Sequence, residues 1–127
     1  VSDLAVHVLA FGYSAGLPAE AELVVDVRFL SNPNYVDALR PLTGADRPVV
    51  EFMQRLPETQ PFLDSLYAFV DFLLPQYERS GKSRVTVAIG CTGGRHRSVF
   101  IAERLAAHLR SNGGTDVSLS YRELAAA

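Results

Sequence analysis

The sequence predicts an α/β domain with helices flanking a sheet in three layers, and three observations carry that expectation. Short valine-rich runs alternate with stretches of helical periodicity. The apolar run Val85-Thr86-Val87-Ala88-Ile89-Gly90 leads straight into the glycine-rich octapeptide Cys91-Thr92-Gly93-Gly94-Arg95-His96-Arg97-Ser98, which opens a helical stretch. The chain has 127 residues, 48% of them hydrophobic, enough for one domain with a core of its own spanning 1–127.

Each element follows from local pattern. Leu4 to Phe11 is apolar almost throughout, as in a strand buried on both faces, with His7 expected as a satisfied histidine. Gly12 to Pro18 is loop, and Leu23 to Phe29 is a second, valine-rich strand. The stretch from Leu30 to about Ala45, marked by Asn32-Pro33-Asn34 and Arg40-Pro41, is too long for a simple connection and is expected to be functional. Asp46 is expected to cap a helix with Pro48 in its first turn, running to about Leu56. Thr59 is expected to cap the next, which carries Phe62, Leu66, Phe69, Val70, Leu73 and Tyr77 at helical spacing and should be largely buried. Pro75 should kink or end it. A third helix from Val99 to Arg110 has Ala102, Leu105, Ala106 and Leu109 as its core stripe, with Gly113-Gly114 as its stop. Val117 to Tyr121 forms the last strand.

The turn after Val85–Gly90 carries the chemistry. A strand, a glycine-rich turn and a helix start converge backbone N–H groups and the positive helix end on one point, which suits an anion. Thr92, Gly93, Gly94, His96, Arg97 and Ser98 are the expected phosphate ligands, with Arg97 the main charge and His96 a donor that strengthens on protonation. Ligands of open α/β sheets bind at the carboxyl ends of strands, so Gly12-Tyr13 and the segment from Asp26 to Asn34 should join this loop. Asp26 and Arg28 share a strand face; either they pair with each other or they serve the ligand, with Asn32 in support.

Composition narrows the partners. A net charge of −2 gives no global pull toward nucleic acid or an anionic membrane. No apolar run approaches the ~20 residues of a membrane-spanning helix, no metal site is expected, and the single cysteine fits a reducing compartment. A first residue of valine suggests a chain cut from something longer.

Phe11-Gly12-Tyr13, the run Asp26 to Tyr35, Leu39-Arg40-Pro41-Leu42-Thr43-Gly44 and the run Gly90 to Val99 together resemble the C-terminal domain of the RapZ/YvcJ family, in the same order and across almost the whole chain. The resemblance implies a fold like a phosphofructokinase subdomain, a cytoplasmic setting and assembly into homo-oligomers. It further implies a non-catalytic sensor and adaptor that recognises glucosamine-6-phosphate, binds small regulatory RNA and presents it to an endoribonuclease. Thr92, Gly93, His96 and Arg97 would contact the anion, and Asn34 would face the same pocket. The family pairs this domain with an N-terminal P-loop domain. Nothing here matches Gly-x-x-x-x-Gly-Lys-Ser/Thr, so no nucleotide cofactor is expected in this chain. Three positions depart from the family pattern. Ser14 stands where a lysine is common, and Asn34-Tyr35 replaces His-Trp. The tail around Arg122-Glu123 lacks the basic character that phosphate-backbone binding draws on.

Two further readings compete. Cys91-x5-Arg97-Ser98 also fits the pattern of cysteine-dependent phosphatases, in which a thiolate at a helix N-terminus attacks phosphorus. Gly90 stands where those enzymes place histidine, and only Asp26 or Asp37 offers itself as general acid. The plainer alternative makes Cys91 a small buried residue closing the strand. Arg97, Arg104 and His108 fall on one side of the third helix with Phe100 nearby, and Arg95 is adjacent. They form either an RNA-backbone stripe with an aromatic platform or a solvated face, and Phe100 could equally sit in a subunit interface.

Overall fold

The computed structural model describes residues 4–112 and 116–125. Strands β1 (Ala5–Gly12), β2 (Leu23–Asp26), β3 (Arg84–Cys91) and β4 (Asp116–Tyr121) form one sheet in the order β2-β3-β1-β4, parallel throughout. From β1 the chain crosses β3 to reach β2, whereas from β3 it crosses β1 to reach β4. The connections therefore leave in opposite directions between β1 and β3, and a crevice opens at the carboxyl ends of those two strands.

Alternation along the strands defines two faces. Val6, Val8 and Ala10 of β1 and Val85, Val87, Ile89 and Cys91 of β3 join one apolar core. Helix α1 (Arg47–Arg55) adds Val49 and Met53, α2 (Thr59–Arg79) adds Leu63, Leu66 and Val70, and α3 (Arg97–Ser111) adds Ile101, Ala102, Leu105, Ala106 and Leu109. Full burial of each large aliphatic side chain contributes about 1.5–3 kcal/mol. On the opposite face Leu9, Phe11 and Ala88 are also buried. There the segment 13–22 passes over β3, and His7 Nε2 meets Ser120 Oγ at 2.7 Å, a satisfied histidine.

Several expectations change. The second strand stops at Asp26 rather than Phe29, because the Asp26 carboxylate accepts from the Arg28 N–H at 2.9 Å and folds the backbone into a turn. Asp46 occupies the cap position of α1, but its carboxylate turns back to the Thr43 N–H at 2.7 Å instead of capping the helix. Thr59 is the first helical residue of α2, not its cap; Glu58 precedes it, and the Thr59 N–H donates to Leu56 O. Helix α2 is not largely buried, since Phe69 is 49% and Phe72 63% exposed. It continues past Pro75 to Arg79, for the carbonyl that Pro75 leaves unbonded belongs to the exposed Asp71. Helix α3 starts at Arg97, two residues early, and a short helix α4 (Arg122–Ala125) follows β4 unforeseen. The expected Gly113-Gly114 stop lies outside the described residues.

Candidate functional site

The turn between β3 and α3 sits at the crevice, and its geometry starts with glycine. Gly94 has φ +75°, and a Cβ there would lie 2.5 Å from Gly12 N and from Glu123 Cγ. Nothing lies within 4 Å of a Cβ placed on Gly93, one residue earlier. The turn therefore packs on β1 through Gly94 and opens outward at Gly93. The Ser14 N–H donates to Thr92 O at 3.1 Å, tying the end of β1 to the turn. Helix α4 braces it from behind, with the Glu123 carboxylate accepting the Gly12 N–H at 2.8 Å and Arg122 reaching Gly16 O at 2.7 Å. The sequence pattern does not place Arg122 or Glu123 at the site. Their place directly after β4, the neighbour of β1, is the signal that would have found them.

The irregular segment 27–45 closes over the other side. His96 Nε2 lies 3.2 Å from Leu39 O; a carbonyl only accepts, so Nε2 carries the proton and Nδ1 is left to other partners. The Gly44 N–H donates to Arg95 O at 2.8 Å, and a Cβ on Gly44 would meet Phe100 N at 2.6 Å, so this approach needs glycine. Arg95 Nη2 reaches Pro41 O at 3.4 Å. Arg97 is only 4% exposed. Its Nη1 donates to Arg28 O at 2.7 Å and to Leu30 O at 3.0 Å, while its Nε is buried without a partner.

These elements enclose a cleft of about 180 Å³ lined by Asn32 and Asn34 on one side and by the turn residues Cys91 to Gly93 and Arg95 to Arg97 on the other. A wider groove of about 570 Å³ adjoins it through Asn32, Thr92 and Arg97, and there Arg28, Tyr35 and Phe52 supply further walls. Among the described residues, the N–H groups of Gly93, Arg95 and His96 donate to no protein acceptor. Three open amides, the positive end of α3, a threonine hydroxyl and a buried arginine are groups whose chemistry suits an oxyanion. Tyr35 and Phe52 belonged to no expected site; the Asn-Pro-Asn-Tyr run held the signal for Tyr35.

The remaining candidates fall elsewhere. Ser98 is fully buried, with Oγ 3.2 Å from Cys91 Sγ, and does not line the cleft. The Gly94 N–H points inward at the same sulfur, 3.3 Å away, and the Ser98 N–H at 3.4 Å. Cys91 thus belongs to the core, 2% exposed, as the plainer reading had it. Of the two acids considered as proton donors, Asp37 bonds Arg40 at 2.8 Å and Asp26 bonds Arg28. The Asp26–Arg28 pair is bidentate, with the guanidinium 3.9 Å above the Tyr13 ring, so the two residues pair with each other while Arg28 also walls the groove. Hydrogen bonds from the Arg28 side chain hold the Asp26 carboxyl below its ordinary range, with burial opposing.

The expected basic stripe is taken up in packing. Phe100 is 1% exposed and offers neither an aromatic platform nor an interface. His108 stacks on Tyr67 with ring centroids 4.1 Å apart and bonds Asp71 at 2.8 Å, so the face carrying Arg104 and His108 meets α2. Arg97 points away from them into the 28–30 backbone.

The profile of the RapZ C-terminal domain family matches residues 4–125. The chain belongs to this family. Among its relatives are the nucleotide-binding protein YvcJ of Bacillus subtilis, 49% identical over 113 residues, and a nucleotide-binding protein of Trichlorobacter lovleyi, 49% identical over 123. The first alignment covers 89% of this chain and 38% of the relative, the second 97% and 43%. A nucleotide-binding protein of Paramagnetospirillum magneticum is 51% identical over 121 residues, covering 95% of this chain and 39% of its own length. This RapZ C-terminal domain therefore spans about two fifths of the length of those relatives. Among its described residues no helix is long and apolar enough to cross a membrane.

Proposed function

We propose that this RapZ C-terminal domain is a non-catalytic sensor that holds the phosphoryl group of a phosphorylated metabolite, an amino-sugar phosphate such as glucosamine-6-phosphate, in the Thr92–Arg97 cleft. The observation that carries the reading is that Gly93, Arg95 and His96, whose amides donate to no protein acceptor, all line one cleft beside the positive end of α3. Arg97 supports the phosphoryl site with charge, and Asn32 and Asn34 offer amides to sugar hydroxyls. The adjoining groove has room for the rest of the ligand. An adaptor role toward a small regulatory RNA and an endoribonuclease, and homo-oligomer assembly, belong to the same proposal. An RNA strand would have to use the exposed rim at Arg95, because Arg104 and His108 face α2.

The test is isothermal titration with glucosamine-6-phosphate, with glucosamine and inorganic phosphate as controls, on the wild type and on Gly93→Val and Thr92→Val. A Cβ at Gly93 has no protein atom within 4 Å, so the valine should be accommodated by the fold while taking up space where a phosphoryl oxygen would approach. The phosphosugar should bind above both controls and be lost in Gly93→Val, with a partial loss in Thr92→Val. Equal affinity in wild type and Gly93→Val would remove the ligand from this cleft.

A further inference from the structure

Helix α2 carries its core stripe on one side and a second apolar face on the other. At about 100° per residue, Leu63, Leu66 and Val70 point into the core. Ser65, Ala68 and Phe72 point away from it, with Phe69 at the edge of that outer face, and all four are exposed. The acidic residues of the helix avoid this face. Asp64, Asp71 and Glu78 share the flank on which Asp71 meets His108 of α3. The outer face is therefore charged only at its two ends, by Glu58 and Arg79.

The spacing makes this face a seam. Glu58, Ser65, Phe72 and Arg79 follow one another at intervals of seven residues, with Ala68 and Phe69 between the middle two. That is the repeat by which one helix packs along another. Two exposed phenylalanines on an uncharged seam mark an interaction surface rather than scattered apolar residues.

The seam is complementary to itself when reversed. A second α2 can lie antiparallel to the first, about a twofold axis between Ala68 and Phe69. Each residue then faces the one equally far beyond the axis. Phe72 meets the small Ser65, Phe69 meets Ala68, and Glu58 at one end meets Arg79 at the other. Large stands against small and acid against base, and the two helix dipoles oppose. A parallel pair would instead set Phe72 on Phe72 and Glu58 on Glu58. Among the described residues neither Glu58 nor Arg79 makes an ion pair within the chain.

We propose that the outer face of α2 is an interface with a second copy of this chain, in which the two helices pack antiparallel. The proposal rests on the homo-oligomer part of the function proposed above and is independent of the ligand cleft. The seam is one helix wide, which places the buried area at the low end of specific interfaces. The pair should therefore depend on concentration.

Sedimentation equilibrium of the chain, carried up to millimolar concentration, is the test. The wild type should form a concentration-dependent dimer, and Phe72→Ser should weaken it about tenfold or more. Phe72 is 63% exposed and lies outside the core cluster, so the serine should be accommodated by the fold. Glu58→Arg and Arg79→Glu should each weaken self-association several-fold. Mixed in equal amounts, these two charge variants should associate more tightly than either does alone, because each offers the other an opposite charge at both ends of the seam. A dimer equally strong in Phe72→Ser would overturn the proposal while leaving assembly to another face. So would a mixture of the charge variants that associates no better than its components. A monomer at every concentration would overturn both the proposal and the homo-oligomer reading beneath it.

Discussion

The turn between β3 and α3 has an inward half and an outward half, and neighbouring residues belong to different ones. Cys91, Gly94 and Ser98 close on one another through the cysteine sulfur, beneath Gly12 and Glu123. Thr92, Gly93 and Arg95 are exposed at the cleft. Arg97 belongs to both, with Nη1 spent on two carbonyls while the residue also lines the cleft. The difference shows how a short motif can build its own scaffold. The backbone at the cleft stays open because the residue between its open amides is fastened inward, and a motif match by itself does not say which residue does which.

The two adjacent glycines break that comparison most sharply. Gly94→Ala combines a positive φ with contacts of 2.5 Å to Gly12 N and to Glu123 Cγ, so it should destabilise the fold by on the order of 3 kcal/mol. Gly93→Ala meets open space and should leave stability within about 0.5 kcal/mol, as ordinary surface substitutions do. Urea titrations of the two variants measure the contrast. Similar losses would mean that the turn is not divided as described.

Arg97 comes next, because it serves both halves. Arg97→Ala leaves the carbonyls of Arg28 and Leu30 without their donor and should cost about 2–4 kcal/mol of stability, read as a lower urea midpoint. It should also reduce phosphosugar binding, but through a displaced 28–30 segment as much as through lost charge. For that reason Gly93→Val, and not an arginine variant, isolates the ligand contact. Weak binding in Arg97→Ala with full stability would assign the arginine to the outward half alone.

Much of the sheet was legible because its strands are apolar runs bounded by glycine and polar residues, and parallel strands buried on both faces look like that. The position of the β3–α3 turn was legible for the same reason: strand, glycines and helix follow one another without interruption. What periodicity could not give is what covers a face. Phe100, Arg104 and His108 do share one side of α3, but α2 lies on it. Spacing marks Phe69 as a core position of α2, yet it is half exposed, since the stripe that packs is Leu63, Leu66 and Val70. Arg97 and Ser98 are adjacent and expected as ligands alike, but on a helix neighbours point about 100° apart, so Arg97 lines the cleft and Ser98 reaches Cys91. The Leu39–Gly44 run resists pattern reading for another reason: it anchors Leu39 and Leu42 on the core without periodicity and meets the β3–α3 turn through backbone groups, where Gly44 has no room for a side chain.

The smallest expected effect concerns the rim, where Asp26 neutralises the arginine that faces the groove. Hydrogen bonds from Arg28 hold the Asp26 carboxyl below its ordinary range, so the folded protein binds that proton less readily than the unfolded chain. Stability from the pair is therefore fully present above the ordinary aspartate pKa of about 3.9 and is lost as pH falls through the lowered folded value. The side chains are 48% and 46% exposed, so solvent screens the attraction and the change in midpoint will be slight. Binding gives the better readout. Asp26→Asn removes a negative charge beside the groove and frees the Arg28 guanidinium, so phosphosugar affinity should rise by a small factor, and the gain should fade with added salt. A fall in affinity would show instead that Asp26 holds Arg28 in the position the ligand needs, which would make this pair part of the half that meets the ligand.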